Sequence, residues 1–300
     1  IIIFDTSSTI CKMRRILVTG ATGFIGSALV ESLANNNYEV WCTTRGEKNL
    51  KTGSGNIKYI NCDLTQLEES IGSYYAVINC AASLENDCSW KRLSYNNCST
   101  LENLILNIDC TKFIHISSCS IFSKSSQIHS QPDPPNIYGL SKYVSEKILE
   151  LNSHKFDSSI IIRYPIVIGA NKKTQDFVKY IYDTAVKNEK IKLYGKGSFY
   201  RNVIHINEAV SAILSALETD SEVHYENINV GSSNSETVLD ICRFIVKETH
   251  STSDIILSEN EGTFDFDAFI DVSKCSRIGY TCLTINENIK NYLLEMMHEI

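Results

Sequence analysis

The sequence predicts an α/β fold in which a doubly wound parallel sheet is joined to a smaller C-terminal lobe. Three observations lead to this prediction. Short apolar runs alternate with amphipathic helical segments along the chain. The apolar runs are continuous, which is typical of parallel strands covered on both faces. The glycine-rich stretch LVTGATGFIG follows the first run and leads directly into the first helical segment.

The first half supplies the predicted sheet. In chain order, the strand candidates are RILVT, YEVWCT, IKYINC, YAVINC, KFIHIS and SSIIIRY. The amphipathic segments between them include Gly26–Asn35 and Ser94–Asn107. Right-handed crossover connections between such strands produce a doubly wound arrangement.

After about residue 165 strand and helix candidates no longer alternate regularly. DFVKYIYDTAV, INEAVSAILSALE and INENIKNYLLEMMHEI indicate helices, IKLYG indicates a short strand, and YENINVG indicates a strand that returns to the main sheet. We therefore expect a nucleotide-binding domain over residues 13–165, to which 203–230 return, and a substrate-binding lobe from 166–202 and 231–300. Met13 opens the natural-looking start MRRILVTG, so we interpret residues 1–12 as a non-native upstream extension.

The composition of the chain argues against several classes of function. The chain has 300 residues, of which 43% are hydrophobic and 21% charged, and its net charge is -7, which argues against a nucleic-acid partner. No apolar run is long enough to span a bilayer. The 11 cysteines show neither a CxxC pair nor Cys/His ligand spacing. They indicate free thiols in a cytoplasmic protein, and no metal site is predicted.

The glycine-rich turn predicts a dinucleotide site of Rossmann type. Gly20 permits a tight turn, Gly23 permits close approach of pyrophosphate, and Gly26 lets the helix pack against the strand. The helix N-terminus adds free N–H groups. The second strand ends with Thr44 and Arg45 and has no acidic residue, so we favour NADP(H), because Arg45 would attract a 2′-phosphate.

Tyr138 and Lys142 in YGLSK lie four residues apart, so they share one face of a helix. A nearby ammonium group would lower the pKa of the phenol from its usual value near 10. Tyr138 is therefore a candidate acid/base.

Together TGATGFIG, YGLSKYVSEKIL and FIHISSCSIFS resemble the extended short-chain dehydrogenase/reductase superfamily, and specifically its NAD(P)-dependent epimerases, dehydratases and reductases of sugar nucleotides. The resemblance covers most of residues 13–300. It implies catalysis by Ser118, Tyr138 and Lys142, with Ser117 as the alternative hydroxyl, and leaves His115 as a strand residue. It also implies a homodimer. The cofactor contacts would come from Gly20, Thr22, Gly23, Phe24, Ile25, Gly26, Arg45, Asp63, Leu64, Ala81, Ala82, Tyr138 and Lys142.

Other positions qualify the resemblance. Cys119 and Ser120 stand where related 4,6-dehydratases carry Asp-Glu, so dehydration by that route is not expected. Asn96 occupies the Asn of the family's Asn-x-x-Gly-Thr helix, and Arg201 occupies the place where relatives often bind a substrate phosphate. Pro165 and Ile166 lie where many epimerases have an Asn. The acidic stretch ENEGTFDFDAF replaces an Arg-containing segment.

The leading hypothesis is an epimerase or reductase that acts on a hexose, carried on a nucleotide. One alternative is an NADPH-dependent reductase of a non-nucleotide carbonyl compound, because the phosphate ligands of the family are altered. The other is a non-catalytic, cofactor-binding regulatory protein. The sequence does not separate an epimerase from a reductase.

Overall fold

The computed structural model describes residues 13–46, 55–84, 88–123, 131–219, 224–259 and 267–298. The upstream extension expected at 1–12 lies outside these ranges, as does most of the acidic stretch, since 260–266 are not described. The strands are β1 Arg15–Thr19, β2 Glu39–Thr44, β3 Ile57–Asn61, β4 Ser73–Asn79, β5 Asp109–Ser118, β6 Ser158–Tyr164, β7 Ile166–Ile168, β8 Ile191–Leu193, β9 Tyr200–Arg201, β10 Val203–His205, β11 Tyr225–Asn229, β12 Glu236–Thr237 and β13 Ile255–Leu257.

The helices alternate with these strands. They are α1 Phe24–Asn35, α2 Trp90–Ser94, α3 Thr100–Leu106, α4 Ile137–Asn152, α5 Phe177–Ala185, α6 Ile206–Glu218, α7 Val238–Glu248 and α8 Ile285–His298. A π-helical turn over Tyr95–Ser99 joins α2 to α3. Across the described ranges, none of the helices is both long enough and apolar enough to span a bilayer.

Seven strands form one parallel sheet in the order β3-β2-β1-β4-β5-β6-β11. The predicted fold class is therefore confirmed. The strand order reverses between β1 and β4, and in such sheets ligands bind in the crevice outside the carboxyl ends of the strands at this reversal.

Neighbouring residues on each strand point to opposite faces of the sheet. Both faces are buried because helices cover each of them. On one face, Ile16 and Ile114 pack with helix α1 and helix α6 residues such as Leu29 and Ile213. On the other face, Leu17 packs with a cluster that includes helices α3 and α4. The sheet is thus held between two helical layers.

The remaining strands form small pairs outside this sheet: β7 with β10, β8 with β13, and β9 with β12. A separate apolar cluster forms around helices α5, α7 and α8, where Tyr182 and Tyr292 meet edge to face at 5.8 Å. The division into a nucleotide-binding domain and a substrate-binding lobe stays a prediction.

Candidate active site

The turn after β1 is built so closely that side chains are excluded from it. Gly20 has a φ of +64°, and a Cβ there would lie 2.7 Å from the backbone nitrogen of Ala81. A Cβ on Gly26 would overlap the carbonyl oxygen of Gly20, and one on Gly23 would lie 3.1 Å from the same oxygen. Gly20 and Gly26 are therefore required by the close approach of backbone to backbone, and a side chain at Gly23 would fit only if its neighbour moved slightly.

Helix α1 leaves the N–H groups of its first turn available. Its N-cap is Gly23, no side chain caps it, and its first turn contains no acidic residue. Such a terminus carries a partial positive charge and favours phosphate groups. The glycine turn and this terminus therefore fit the pyrophosphate of a dinucleotide, with Thr22, Phe24 and Ile25 in the same segment.

The predicted adenosine end of the site lies beside β2. Asp63 accepts hydrogen bonds from the hydroxyl of Thr65 at 2.8 Å and from its N–H at 3.0 Å. These bonds, followed by the positive charge of the exposed Arg45, lower the pKa of Asp63. Leu64 is buried. Arg45 therefore lies near Asp63 at the edge where the sequence places the ribose.

The ends of β1 and β4 are tied together at the strand reversal. Thr19 donates to the side-chain oxygen of Asn79 at 2.5 Å, and the N–H of Ala81 approaches that oxygen at 3.3 Å. The backbone N–H of Cys80 donates to the carbonyl of Thr19. These contacts hold Ala81, and Ala82 after it, next to the glycine turn.

Ser118 and Tyr138 meet at the carboxyl end of β5. Tyr138 lies in the first turn of α4, which is capped by Asn136 through a 2.8 Å bond from the N–H of Gly139. The Tyr138 side chain is hydrogen-bonded to Ser118. One turn along the helix, the Lys142 ammonium donates to the carbonyl of Ile116 at 2.6 Å. The structure thus brings all three predicted catalytic residues to one place.

The protonation of this trio differs from the sequence-based expectation. Burial raises the pKa of Tyr138 to about 12, although the hydrogen bond with Ser118 opposes the rise. Burial also lowers the pKa of Lys142 to about 8, against the opposing charge of Glu146. The expectation that Lys142 lowers the tyrosine pKa is wrong for these surroundings, because desolvation outweighs the other effects on the phenol.

The structure distinguishes the two neighbouring serines. Ser117 is buried, and its hydroxyl donates to a carboxylate oxygen of Glu146 at 2.5 Å. Ser118 is partly exposed, and its hydroxyl donates to the hydroxyl of Ser120 at 3.0 Å. Ser118 therefore faces the crevice beside Tyr138, whereas Ser117 faces the buried side of α4.

Asn97, next to the predicted Asn96, joins the π-helical turn to the segment after β4 and to α4. Its amide accepts from the N–H of Ser83 at 2.7 Å and donates to the hydroxyl of Ser141 at 2.9 Å. Asn97 is buried, and Asn96 is only partly so. Both asparagines lie in the π-helical turn, a kind of turn that is frequent at functional sites, and the match of Asn96 to the family's Asn stays a prediction.

A family model described as the NAD dependent epimerase/dehydratase family matches residues 16–231, well over half of the chain. The chain belongs to this epimerase/dehydratase family. It is thus an NAD-dependent enzyme of the extended short-chain dehydrogenase/reductase type, and the alternative of a non-catalytic binding protein falls away.

Relatives within the epimerase/dehydratase family run different reactions. The chain is 26% identical over 242 residues to a decarboxylating sterol-4-alpha-carboxylate 3-dehydrogenase of Dictyostelium discoideum, covering 74% of this chain and 73% of the relative. It is 23% identical over 297 residues to a dTDP-4-dehydro-6-deoxy-D-allose reductase of a Streptomyces species, covering 88% and 90%.

A solved structure shows the same fold. The UDP-glucuronic acid 4-epimerase of Bacillus cereus, in complex with UDP-glucuronic acid and NAD, superposes with a TM-score of 0.79. The match covers 95% of this chain and 100% of the neighbour at 23% identity.

Arg201 is the predicted phosphate ligand, and it is buried on β9. It donates to the carbonyl of Tyr200 at 2.8 Å, and its guanidinium lies 5.9 Å from the ring centre of Phe199. Asn202 bonds to backbone groups of Ser232 and Asn234. The role of Arg201 toward substrate stays a prediction.

His115 lies within β5 of this family member, as the sequence predicts for a strand residue. It is buried, and its Nδ1 lies 3.1 Å from the Asn79 amide nitrogen. Burial, followed by the charge of Lys142, lowers its pKa well below the usual value, so it is neutral at neutral pH. Among the described residues, no cluster of His, Cys, Asp and Glu could hold a metal ion.

Proposed function

We propose that the chain transfers hydride at a carbon of a hexose carried on a nucleotide, as an NAD(P)-dependent epimerase or reductase. The observation that carries this proposal is the hydrogen bond between Ser118 and Tyr138 beside the buried Lys142, at the sheet edge where the glycine turn also lies. Bound NAD(P) supplies the hydride acceptor and donor at nicotinamide C4.

Each residue has a distinct role in this proposal. The glycine turn and the N–H groups of α1 hold the pyrophosphate. Tyr138, whose pKa of about 12 keeps it protonated at neutral pH, donates a proton to a substrate oxygen. Ser118 hydrogen-bonds the same oxygen, and the Lys142 cation, whose pKa is about 8, stabilises negative charge that develops there.

A reductase of a non-nucleotide carbonyl compound is the second candidate. The observation that favours it is Ile166, the apolar, partly buried first residue of β7, near the place where many sugar-nucleotide epimerases carry an amide. An isoleucine cannot hydrogen-bond a sugar hydroxyl, and it suits an apolar substrate. The similarity to a sterol-4-alpha-carboxylate 3-dehydrogenase supports this candidate, because a sterol is not carried on a nucleotide.

A substrate screen separates these candidates. Nucleotide hexoses and small ketones are incubated with NADH or NADPH, and both cofactor absorbance and product stereochemistry are followed. An epimerase converts a nucleotide hexose without net change in cofactor, whereas a reductase consumes one cofactor per product. Turnover of ketones but not of nucleotide sugars would favour the second candidate, and no turnover of any compound would overturn both.

We also propose that NADP(H) is the preferred cofactor. Arg45 is exposed near Asp63, and β2 ends without an acidic side chain that would repel a 2′-phosphate. We expect calorimetry to show tighter binding of NADPH than of NADH. Arg45→Ala should weaken NADPH binding about tenfold, the loss of one charge-assisted hydrogen bond, and leave NADH binding unchanged.

The matched control is Arg243→Ala, which removes a similarly exposed arginine from α7. It should leave the affinity for both cofactors unchanged. Tighter binding of NADH than of NADPH by the unmodified protein would refute the preference.

A further inference from the structure

Glu146 completes a line of three functional groups on α4. Tyr138, Lys142 and Glu146 are spaced by four residues, so they lie on one face of the helix. Glu146 is 2% exposed, although carboxylates are rarely buried without a partner. It lies one turn beyond Lys142, on the side away from the crevice.

Two adjacent strands hold this carboxylate. Arg163 on β6 donates to it through Nε at 2.9 Å and Nη2 at 2.6 Å, one bond to each oxygen. Ser117 on β5 donates to the oxygen shared with Nε at 2.5 Å. Ser117 and Arg163 are register partners in the parallel ladder, so the three side chains join α4 to two strands at one level.

The clamp, formed by Glu146, Arg163 and Ser117, is adjacent to both Ser118 and Lys142. Ser117 immediately precedes Ser118, which is hydrogen-bonded to Tyr138. Glu146 lies next to Lys142 along the helix, and its charge acts on the Lys142 ammonium. A movement of the clamp would therefore change the position of α4 relative to Ser118.

Glu146 is the carboxylate whose charge acts on Lys142. The other titratable groups near Lys142 are Tyr138 on the same helix, Cys80 after β4, Cys98 in the π-helical turn and His115 on β5. Burial raises the pKa of Cys80 to about 12 and also raises that of Cys98, so both thiols are neutral. Glu146 in turn is near Arg163, Lys147, Cys119 and Tyr225.

We propose that Glu146, clamped by Arg163 and Ser117, is a positioning residue that holds its carboxylate one helical turn from Lys142 and fixes α4 against Ser118 during turnover. The inference rests on the proposed function of Lys142. It assigns no contact between Glu146 and the substrate.

The test is the pH profile of kcat/KM for Glu146→Gln. Glutamine keeps the shape and one of the two acceptors for Arg163 but removes the charge, so Lys142 should lose its proton at lower pH. We expect the basic limb of the profile to move down by about one pH unit, the effect of losing one nearby opposite charge. KM should change less than kcat. Glu146→Asp retains the charge and should keep the wild-type limb.

Glu226→Gln is the matched control. Glu226 on β11 is also a largely buried carboxylate held by two cations, Lys274 and Arg277. Its substitution should change stability without moving the limb. If Glu146→Gln does not fold, the double variant Glu146→Gln/Arg163→Met removes the buried pair together, a replacement that proteins often tolerate. It must show a downward shift, smaller than that of the single variant because the positive charge of Arg163 is removed as well.

The inference would be overturned if the basic limb of the kcat/KM profile stayed at the wild-type pH in Glu146→Gln or in the double variant. It would also be overturned if Glu146→Asp moved the limb as far as Glu146→Gln does. Failure of the proposed function looks different. In that case Tyr138→Phe would retain turnover, whereas failure of this inference alone leaves Tyr138→Phe inactive.

Discussion

At the scale of single residues, the burial of the Lys142 ammonium lowers the stability of the folded protein. The side chain of Lys142 is 2% exposed, and burial lowers its pKa from 10.5 to about 8. The folded protein therefore holds the proton less tightly than the unfolded chain does. Such an unfavourable group is typical of functional sites, where stability is exchanged for activity.

This shift predicts a pH-dependent difference between the wild type and Lys142→Met. Between pH 8 and pH 10.5 the unfolded wild type keeps the lysine proton and the folded protein has lost it. The unfolding free energy of the wild type should therefore rise with pH relative to the variant, by at most about 3 kcal/mol over this window. Denaturant unfolding at a series of pH values measures the difference.

The range below pH 8 is the internal control, because both states of the wild type are then protonated and the difference should be constant. A difference that stays flat through pH 10.5 would contradict the assigned burial of the ammonium.

Residue identities in the site were only partly accessible from sequence. The spacing of Tyr138 and Lys142 predicted one face of a helix, and both residues lie on α4. The buried contacts of Asn97, next to Asn96, could not be predicted, since they lie in a π-helical turn that no regular period predicts. The pKa of Tyr138 also could not be derived, because it depends on burial by elements distant in sequence.

At the scale of elements, the close approach of α4 to the end of β5 sets the distance between Tyr138 and Ser118. A Cβ added to Gly139 would overlap the carbonyl oxygen of Ser120 and lie 3.0 Å from its carbonyl carbon. The glycine in YGLSK is thus a packing requirement of the catalytic helix. It keeps the first turn of α4 against the turn that follows Ser118.

Gly139→Ala should therefore push the start of α4 away from β5. We expect kcat to fall about 100-fold, the size expected when a reacting group moves by about 1 Å. The unfolding free energy should fall by about 1–3 kcal/mol through overpacking. Steady-state kinetics and denaturant unfolding measure the two effects.

Gly55→Ala is the control, because an added Cβ there has no atom within 4 Å. It should leave both quantities near wild type. Equal activity of Gly139→Ala and the wild type would show that this contact does not position Tyr138.

At the scale of the whole molecule, the sheet could be predicted and the smaller pairings could not. Continuous apolar runs such as RILVT and SSIIIRY match β1 and β6 in full, because strands buried on both faces carry a strong local signal. Strands β9 and β12 have two residues each, too few to show any period. Their pairing follows from long-range packing.

Long-range contacts also join elements that are distant in sequence. Lys112 on β5 is buried and donates to the carbonyls of Ala216, Leu217 and Thr219 at the end of α6, at 3.2, 2.8 and 2.6 Å. These groups are more than 100 residues apart in sequence. Neither the spacing nor the composition of the chain predicts such a contact, which depends on how α6 packs across the sheet.

The most direct test of the central claim is turnover by Tyr138→Phe, with the substrate that the screen identifies and the preferred cofactor. Phenylalanine retains the ring but removes the hydroxyl that is hydrogen-bonded to Ser118 and that we propose as the proton donor. We predict a loss of at least about 100-fold in kcat, the usual contribution of a general acid or base, with cofactor affinity unchanged. Turnover near the wild-type rate would contradict the account.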